Sequence, residues 1–191
     1  MKIVSTTLAA TALVAAAGTL TVPVADAAAG RTALAVSITD CEGCTVQLQQ
    51  AVPRGDGVRV WSSKAVAVTG GKAVLDVPSR RTWGSVLTLK APWEGQLGYV
   101  TTVAVRYAGH VVGEEVSATE AAGERRATGC WAGTRQPRVA VEVDVERTTV
   151  QGVSGPVTGT RAWTPETQDW QGALRRAPGG VLGSQDVDVC R

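Results

Sequence analysis

The chain has 191 residues, with 19 Lys and Arg against 17 Asp and Glu, which gives a formal net charge of +2. A charge this small, without a clustered basic run, argues against a nucleic acid or an anionic membrane as the partner. Phe is absent, Met occurs once and Trp six times, so Val, Leu, Ala and Trp must form the core, and a Val-rich core favours strands.

The first residues have the pattern of a secretory signal peptide. Lys2 supplies a positive charge, residues 3–20 are uncharged and apolar, and Ala25-Asp26-Ala27 provides small residues for a cleavage site. We therefore predict that 1–27 is removed by cleavage near Ala27 and that 28–191 is released as a single disulfide-braced domain. An uncleaved anchor is the alternative, but the apolar run is too rich in Ala, Thr and Gly for a good spanning helix. No stable membrane anchor is expected.

Four cysteines follow the signal peptide: Cys41, Cys44, Cys130 and Cys190. An even number in an exported chain predicts two disulfides, and three pairings are possible. We favour Cys41–Cys44, which sits in a turn-like sequence, and Cys130–Cys190, which ties the end of the chain to its body. A four-Cys zinc site would need two close pairs, so no metal is expected. A redox-active C-x-x-C would need a helix to stabilise its thiolate, but a strand pattern follows it.

Apolar and polar residues alternate in many short segments, which is the pattern of half-buried strands. The alternation is strictest at 139–145, where Val occupies every second position. Gly70-Gly71 lies between the alternating segments 65–68 and 72–77 and predicts a hairpin with a tight turn. Further strands are expected at 33–38, 45–52, 58–61, 86–90, 99–107, 111–116, 148–153, 158–163 and 186–189.

Helix signals are few. Thr164-Pro165-Glu166 has a capping residue, a Pro and an acid in the order of a helix start, which predicts a short helix over 165–176. The spacing of Ser117 and Glu120 predicts a second, shorter helix through Ala122. Many short strands with only peripheral helices predict an all-β fold: a single β-sandwich, immunoglobulin-like or a similar Greek key, with one or two short helices.

Trp83 and Trp93 are the candidate ligand-stacking residues. An exposed Trp ring stacks on sugars because a pyranose presents an apolar C–H face to the aromatic plane. Trp93, in Pro92-Trp93-Glu94-Gly95, has a loop-like context and is expected to be the more exposed, followed by Trp83. Most of the other Trp side chains are expected to be at least partly buried, because they must fill the space that Phe usually fills.

No catalytic constellation stands out in the sequence. His110 is the only His, follows Gly109 in an expected hairpin turn, and is interpreted as an exposed turn residue. No nucleophile motif, phosphate-binding loop or calcium loop is present, so no catalytic residue and no cofactor is expected. Arg54-Gly55-Asp56 matches an adhesion tripeptide, but a three-residue match is interpreted as chance.

Four segments together resemble a family of uncharacterised secreted proteins of actinobacteria, a likeness that would cover nearly the whole mature chain. The resemblance implies export but no activity and no site residues. The segments are Asp40-Cys41-Glu42-Gly43-Cys44, Ala91-Pro92-Trp93-Glu94-Gly95, Gly129-Cys130-Trp131-Ala132-Gly133-Thr134 and Leu182-Gly183-Ser184-Gln185-Asp186.

These observations favour a secreted, non-enzymatic β-sandwich that binds a glycan or another extracellular protein through its loops. An accessory cell-envelope protein is a second hypothesis. A carbohydrate-binding module using exposed Trp, and a thiol–disulfide redox protein acting through Cys41 and Cys44, are the specific alternatives.

Overall fold

The structure, a computed structural model, describes residues 30–95, 100–152, 154–184 and 190. The predicted signal peptide and the strand expected at 186–189 lie outside these residues. Within them the fold is all-β, as predicted, with one short α-helix, α1, at Ala118–Gly123. The strands are β1 (Arg31–Ile38), β2 (Thr45–Arg54), β3 (Gly57–Ser62), β4 (Val66–Ala67), β5 (Lys72–Pro78), β6 (Val86–Lys90), β7 (Val100–Thr102), β8 (Arg106–Tyr107), β9 (Arg126–Thr128), β10 (Arg138–Gly152), β11 (Gly155–Trp163), β12 (Arg175–Arg176) and β13 (Leu182–Ser184).

Two sheets pack against each other to form a sandwich. The first sheet has the strand order β11-β10-β1-β5, and the second has the order β13-β7-β6-β2-β3, with β4 paired to β2. β1 runs antiparallel to β5 and parallel to β10, so strands that are distant in the chain become neighbours. Strands that follow one another in the chain often lie in different sheets, so the chain passes between the two sheets several times. The predicted β-sandwich is confirmed.

The core follows the alternation of the sequence. Leu34 and Val36 of β1 point inward, and Leu34 lies opposite Leu75 of β5 in the register of the first sheet. Leu48 of β2 lies opposite Leu87 of β6 in the second sheet, and all of these side chains belong to one buried cluster. Burying one such side chain stabilises the fold by about 1.5–3 kcal/mol relative to leaving it exposed, so this cluster holds the two sheets together.

A smaller sheet, β12-β9-β8, lies beside the sandwich and packs with α1 over a second buried cluster. Helix α1 starts with the predicted capping box: the Ser117 hydroxyl accepts from the Glu120 backbone N–H, and the Glu120 carboxylate accepts from the Ser117 backbone N–H. Tyr107 lies in this second cluster, where its hydroxyl donates to the Gly180 carbonyl at 3.2 Å. Burial raises the pKa of Tyr107, so its hydroxyl stays a hydrogen-bond donor.

The helix predicted over 165–176 is wrong. This segment is extended, because its backbone pairs with distant strands instead of with itself. Trp170 pairs with Trp131 in a β-bridge, and the Gln171 N–H donates to the Cys130 carbonyl at 3.0 Å. Gly172 has a φ of +83°, which no helical residue adopts. Long-range hydrogen bonds have replaced the local ones that the sequence pattern favours.

Three strand predictions are also corrected. The segments 65–68 and 72–77 do not pair as a hairpin, because β4 pairs with β2 and β5 pairs with β1. The segment 111–116 is not a strand, and Val111 and Val112 are 64% and 53% exposed instead of facing a sheet. The strand predicted over 99–107 is divided into β7 and β8, which belong to different sheets. By contrast, the strands predicted at 139–145 and 148–153 are one continuous strand, β10.

Both disulfides are paired as the sequence favours. Cys41 is bonded to Cys44 and Cys130 to Cys190. Cys41 and Cys44 are buried within the main core. Two disulfides indicate that the chain folds in an oxidising compartment. None of the helices that the structure describes is long and apolar enough to cross a membrane.

The two disulfides should differ in how much they stabilise the fold. Cys130 and Cys190 are 60 residues apart, whereas Cys41 and Cys44 are three apart. Under the loop-entropy model the longer loop contributes about 4 kcal/mol and the shorter about 2 kcal/mol. We expect Cys130→Ala/Cys190→Ala to lower the melting temperature by about 10 °C, and Cys41→Ala/Cys44→Ala to lower it by less. Thermal unfolding followed by circular dichroism measures both, and equal or reversed effects would contradict this ranking.

Candidate binding surface

Trp83 is the most exposed of the six Trp side chains. Its exposed fraction is 43%, while Trp163 is buried and the other four are half-buried. The expectation that most Trp side chains fill core space is therefore confirmed. An exposed Trp stands out because it is the costliest side chain to leave in water, and such residues often anchor a binding partner.

The structure does not bring Trp83 and Trp93 together. Trp83 precedes β6 and Trp93 follows it, so the five-residue strand separates them by roughly 15 Å or more. The order of exposure is also the reverse of the expected one. Trp93 is half-buried against the core, and its indole N–H donates to the Thr160 hydroxyl at 3.1 Å. The Arg147 guanidinium lies 4.8 Å from the Trp93 ring centroid. Trp93 is thus held by the protein, and its role in ligand stacking stays a prediction.

The backbone on both sides of Trp83 is fixed by buried hydroxyl groups. Thr82 and Ser85 are fully buried. The Thr82 hydroxyl donates to the Ser79 carbonyl at 2.7 Å and accepts from the Thr134 N–H at 3.0 Å. The Ser85 hydroxyl donates to the Thr82 carbonyl at 2.7 Å. The exposed ring is therefore carried by a backbone that has little freedom to move.

Two glycines allow the neighbouring chain to pack directly on this backbone. A Cβ on Gly133 would lie 2.7 Å from the backbone N and Cα of Trp83, and Gly133 has a φ of +86°. Gly84 has a φ of +61°, and a Cβ there would meet the side chain of Gln171 and the backbone of Cys190. Its N–H donates to the Trp131 carbonyl at 3.0 Å. The Cys130–Cys190 disulfide thus lies directly behind Trp83.

Arginine side chains accompany Trp83 on the same surface. The Arg135 guanidinium lies 5.9 Å from the Trp83 ring centroid, and that of Arg81 lies 5.5 Å from the Trp61 ring centroid. Arg59 is two residues before Trp61 on β3, so the two side chains share one face of the strand. We refer to Arg59, Trp61, Arg81, Trp83 and Arg135 as the cation–aromatic patch.

Gln50 of β2 joins the two halves of the patch. Its side-chain amide donates to the Trp83 carbonyl at 2.5 Å, and its amide oxygen accepts from Arg81 Nη1 at 3.1 Å. Gln50 is also paired with Trp61 in the register of β2 and β3. The Gln50 amide therefore orients the Arg81 guanidinium and also anchors the Trp83 backbone.

Sequence reasoning identified Trp83 but not the arginines or the glutamine of this surface. Arg135 lies close to Trp83 although the two residues are far apart in the chain. The residues that precede them, Thr134 and Thr82, are 52 positions apart and are joined by a hydrogen bond. No local pattern marks such a pair. The only available signal was the glycine at 133, since a glycine inside a polar segment can indicate close backbone packing.

A second candidate surface is an acidic groove between β10, the start of α1 and the segment around Pro165. Its acidic side chains are those of Glu115, Glu120, Glu142, Asp144 and Glu166. Among the residues that the structure describes, no group of His, Cys, Asp and Glu is arranged to hold a metal ion. The groove has no aromatic side chain in its lining, so it offers charge without a stacking surface.

The remaining cavities offer less chemistry. The cavity in the sandwich core, lined by Leu34, Leu87 and Trp131 among others, has a volume of about 20 Å³, room for one water at most. A groove between β4 and β5 is lined by Lys64 and by small and aliphatic side chains, with Arg31 paired to Asp76 as well. Neither cavity brings together groups that would bind or transform a ligand specifically.

His110 is buried, so its interpretation as an exposed turn residue is wrong. Its ring packs edge-on against Tyr107, and its two nitrogens lie 3.6 Å from a Glu114 oxygen and 3.7 Å from a Glu124 oxygen. No nucleophilic side chain contacts it in the part of the chain that the structure describes. The arrangement ties the 109–113 loop to the end of α1, which is a structural role.

Two other sequence motifs are also located. Arg54-Gly55-Asp56 lies at the exposed tip of the β2–β3 hairpin, where Gly55 has a φ of +57° that suits a tight turn. The Cys41–Cys44 disulfide is buried and is followed directly by β2 rather than by a helix. A buried sulfur is hard for an attacking thiolate to reach, and the strand supplies no dipole to stabilise a thiolate.

A comparison of the chain with protein-family models, with curated proteins and with solved structures finds no match. The candidate surface is therefore judged on its own geometry. By that criterion the cation–aromatic patch ranks first, because it combines an exposed ring, nearby arginines and a rigid support.

The support of Trp83 can be tested at Gly133. We expect Gly133→Ala to lower the free energy of unfolding by about 2 kcal/mol or more, because a positive φ and a backbone clash combine at this position. Gly123→Ala is the matched control, since a Cβ there meets nothing within 4 Å. It should leave stability unchanged or slightly raised. Urea unfolding measures both, and similar effects of the two variants would contradict the close packing.

The acidic groove predicts a pH effect at Asp144. Burial, together with the charges of Glu142 and Asp40, raises the pKa of Asp144. The folded state then holds this proton more tightly than the unfolded state, so the contribution of Asp144 to stability falls as pH rises. We expect Asp144→Asn to raise the melting temperature at pH 7. The gain should shrink below the ordinary pKa of 3.8, where both states are protonated. A lower melting temperature at pH 7 would show that the carboxylate is favourable.

Proposed function

We propose that this protein is exported through the signal peptide 1–27, acts outside the cell, and binds an extracellular polysaccharide at the cation–aromatic patch. The two disulfides support an oxidising location. Binding rather than catalysis is proposed, because the patch contains no nucleophile and no acid–base pair.

The observation that carries the proposal is the exposed Trp83 ring on a rigid backbone. A side chain fixed before binding loses little conformational entropy when a ligand arrives, so its contact surface contributes more to affinity. Thr82, Ser85 and Gly133 immobilise the backbone but leave the ring itself in solvent. The apolar C–H face of a pyranose is the complement of such a ring.

Thiol–disulfide exchange is the weaker alternative. The sulfurs of Cys41 and Cys44 are buried in the core, and the element after them is β2. An accessory envelope protein without a ligand is the other alternative, but it gives no reason for the rigid support of one exposed Trp.

The test is binding of the exported protein to chitin, cellulose and isolated cell-wall polymers, followed by titration of whichever polymer is retained. We expect Trp83→Ala to weaken that binding by about tenfold or more, as is typical of a central Trp. Trp83→Phe should retain most of the affinity because it keeps an aromatic face. Val111→Ala, an exposed apolar change in another loop, should have no effect.

Melting temperatures of all three variants would show that they are folded. If Trp83→Ala binds every polymer with the affinity of the wild type, the proposed surface is wrong. If the protein binds another protein but none of the polysaccharides, its ligand is a protein and the proposed sugar binding is wrong.

A further inference from the structure

The arginines of the cation–aromatic patch have no acidic partners among the residues that the structure describes. In the part of the chain that the structure describes, Arg59, Arg81 and Arg135 make no ion pair within 4.0 Å, whereas Arg31 and Arg161 elsewhere are paired with Asp76 and Glu146. The net charge of the chain is only +2. Cations left without carboxylates on a nearly neutral protein therefore form a local positive surface.

The donors of Arg81 are oriented but mostly unused. A guanidinium has five N–H groups, and among the described residues Arg81 makes one hydrogen bond, from Nη1 to the Gln50 amide oxygen. The guanidinium lies over the Trp61 ring. A carboxylate can bind a guanidinium through two parallel hydrogen bonds, as a phosphate can.

A guanidinium lies over the ring at both halves of the patch. The distances from guanidinium carbon to ring centroid are 5.5 Å at Trp61 and 5.9 Å at Trp83. Trp83 is still 43% exposed, so a pyranose that packs against the exposed part of its ring and carries a carboxylate would bring that carboxylate close to the Arg135 guanidinium. A neutral sugar would leave the guanidinium unpaired, and a polyphosphate would leave the Trp ring uncovered.

From this juxtaposition we infer that the ligand of the cation–aromatic patch is an acidic polysaccharide built from uronic acid residues. The inference rests on the proposed sugar-binding function and names its substrate class. A uronic acid residue bound at the patch supplies an apolar pyranose face for Trp83. It also supplies a carboxylate for Arg135 or Arg81. The patch thus selects the combination of ring and charge rather than either one alone.

The test uses three probes that separate ring from charge. Polygalacturonate has both, its fully methyl-esterified form has the ring without the charge, and inorganic polyphosphate has the charge without the ring. Titration of the exported protein should show binding to polygalacturonate that is about tenfold or more tighter than to the esterified form, and that weakens as salt increases. Polyphosphate should bind weakly and equally to the wild type and to Trp83→Ala.

Matched arginine variants locate the charge. Arg135→Gln and Arg81→Gln should each weaken polygalacturonate binding by about five- to tenfold, as expected when a charge-assisted hydrogen bond is lost. Arg147→Gln is the control, since Arg147 also faces a Trp ring, that of Trp93, but lies outside the patch. It should bind as the wild type does. Melting temperatures close to wild type would show that the variants are folded.

The outcomes separate this inference from the function on which it rests. Equal affinity for the charged and esterified polymers, lost in Trp83→Ala, would overturn the acidic ligand but keep sugar binding. Tight polyphosphate binding that ignores Trp83→Ala would reduce the patch to a general anion surface and overturn the inference. If Trp83→Ala changes binding to none of the polymers, the sugar-binding function itself fails.

Discussion

Burial of alternating apolar side chains between two sheets is the interaction on which the rest of the structure depends. Leu34 and Leu75 in one sheet, and Leu48 and Leu87 in the other, point into the same cluster. Because strand side chains alternate between faces, this burial also sets the register of each strand. The register in turn decides which polar residues meet at the ends and edges of the sandwich.

Strand β6 shows how this constraint positions the candidate site. Residues 86–89 are all buried, so the strand is covered on both faces and cannot shift. Trp83 and Trp93 lie beyond its two ends and have different surroundings. Both rings have a guanidinium over them, that of Arg147 at Trp93 and that of Arg135 at Trp83, but Trp93 packs on the core while Trp83 is 43% exposed. The same residue type thus serves packing at one end and presents an open ring at the other.

Arginine is a recurrent partner of Trp in this protein. Guanidinium groups lie against the rings of Trp61, Trp83, Trp93 and Trp170. A planar guanidinium interacts favourably with an aromatic face, and its long stem covers apolar surface. In a chain without Phe, these pairs let large rings sit at the boundary between core and solvent. Of the six Trp rings, Trp83 is the one that also remains widely exposed, which makes it the candidate for binding.

The sequence by itself determined the all-β class, most of the strands, the capped start of α1 and the favoured disulfide pairing. These features depend on local information: the two-residue alternation in β10, the Ser117–Glu120 spacing, and the short separation of Cys41 and Cys44. The failed helix at 165–176 has a physical cause. A capping sequence at 164–166 cannot form a helix when the following backbone groups are bound by distant strands.

Tertiary structure alone decided the make-up of the candidate site. Sequence context ranked Trp93 above Trp83 in exposure, and only packing shows the opposite order. Arg81, Arg135 and Gln50 come from separate parts of the chain, and no local pattern relates them. Their proximity follows from strand pairing and from Gly133, whose missing Cβ lets the chain lie against the backbone of Trp83. The periodicity of a strand can be read from consecutive residues. A surface built from three separate segments forms only when long-range packing brings those segments together.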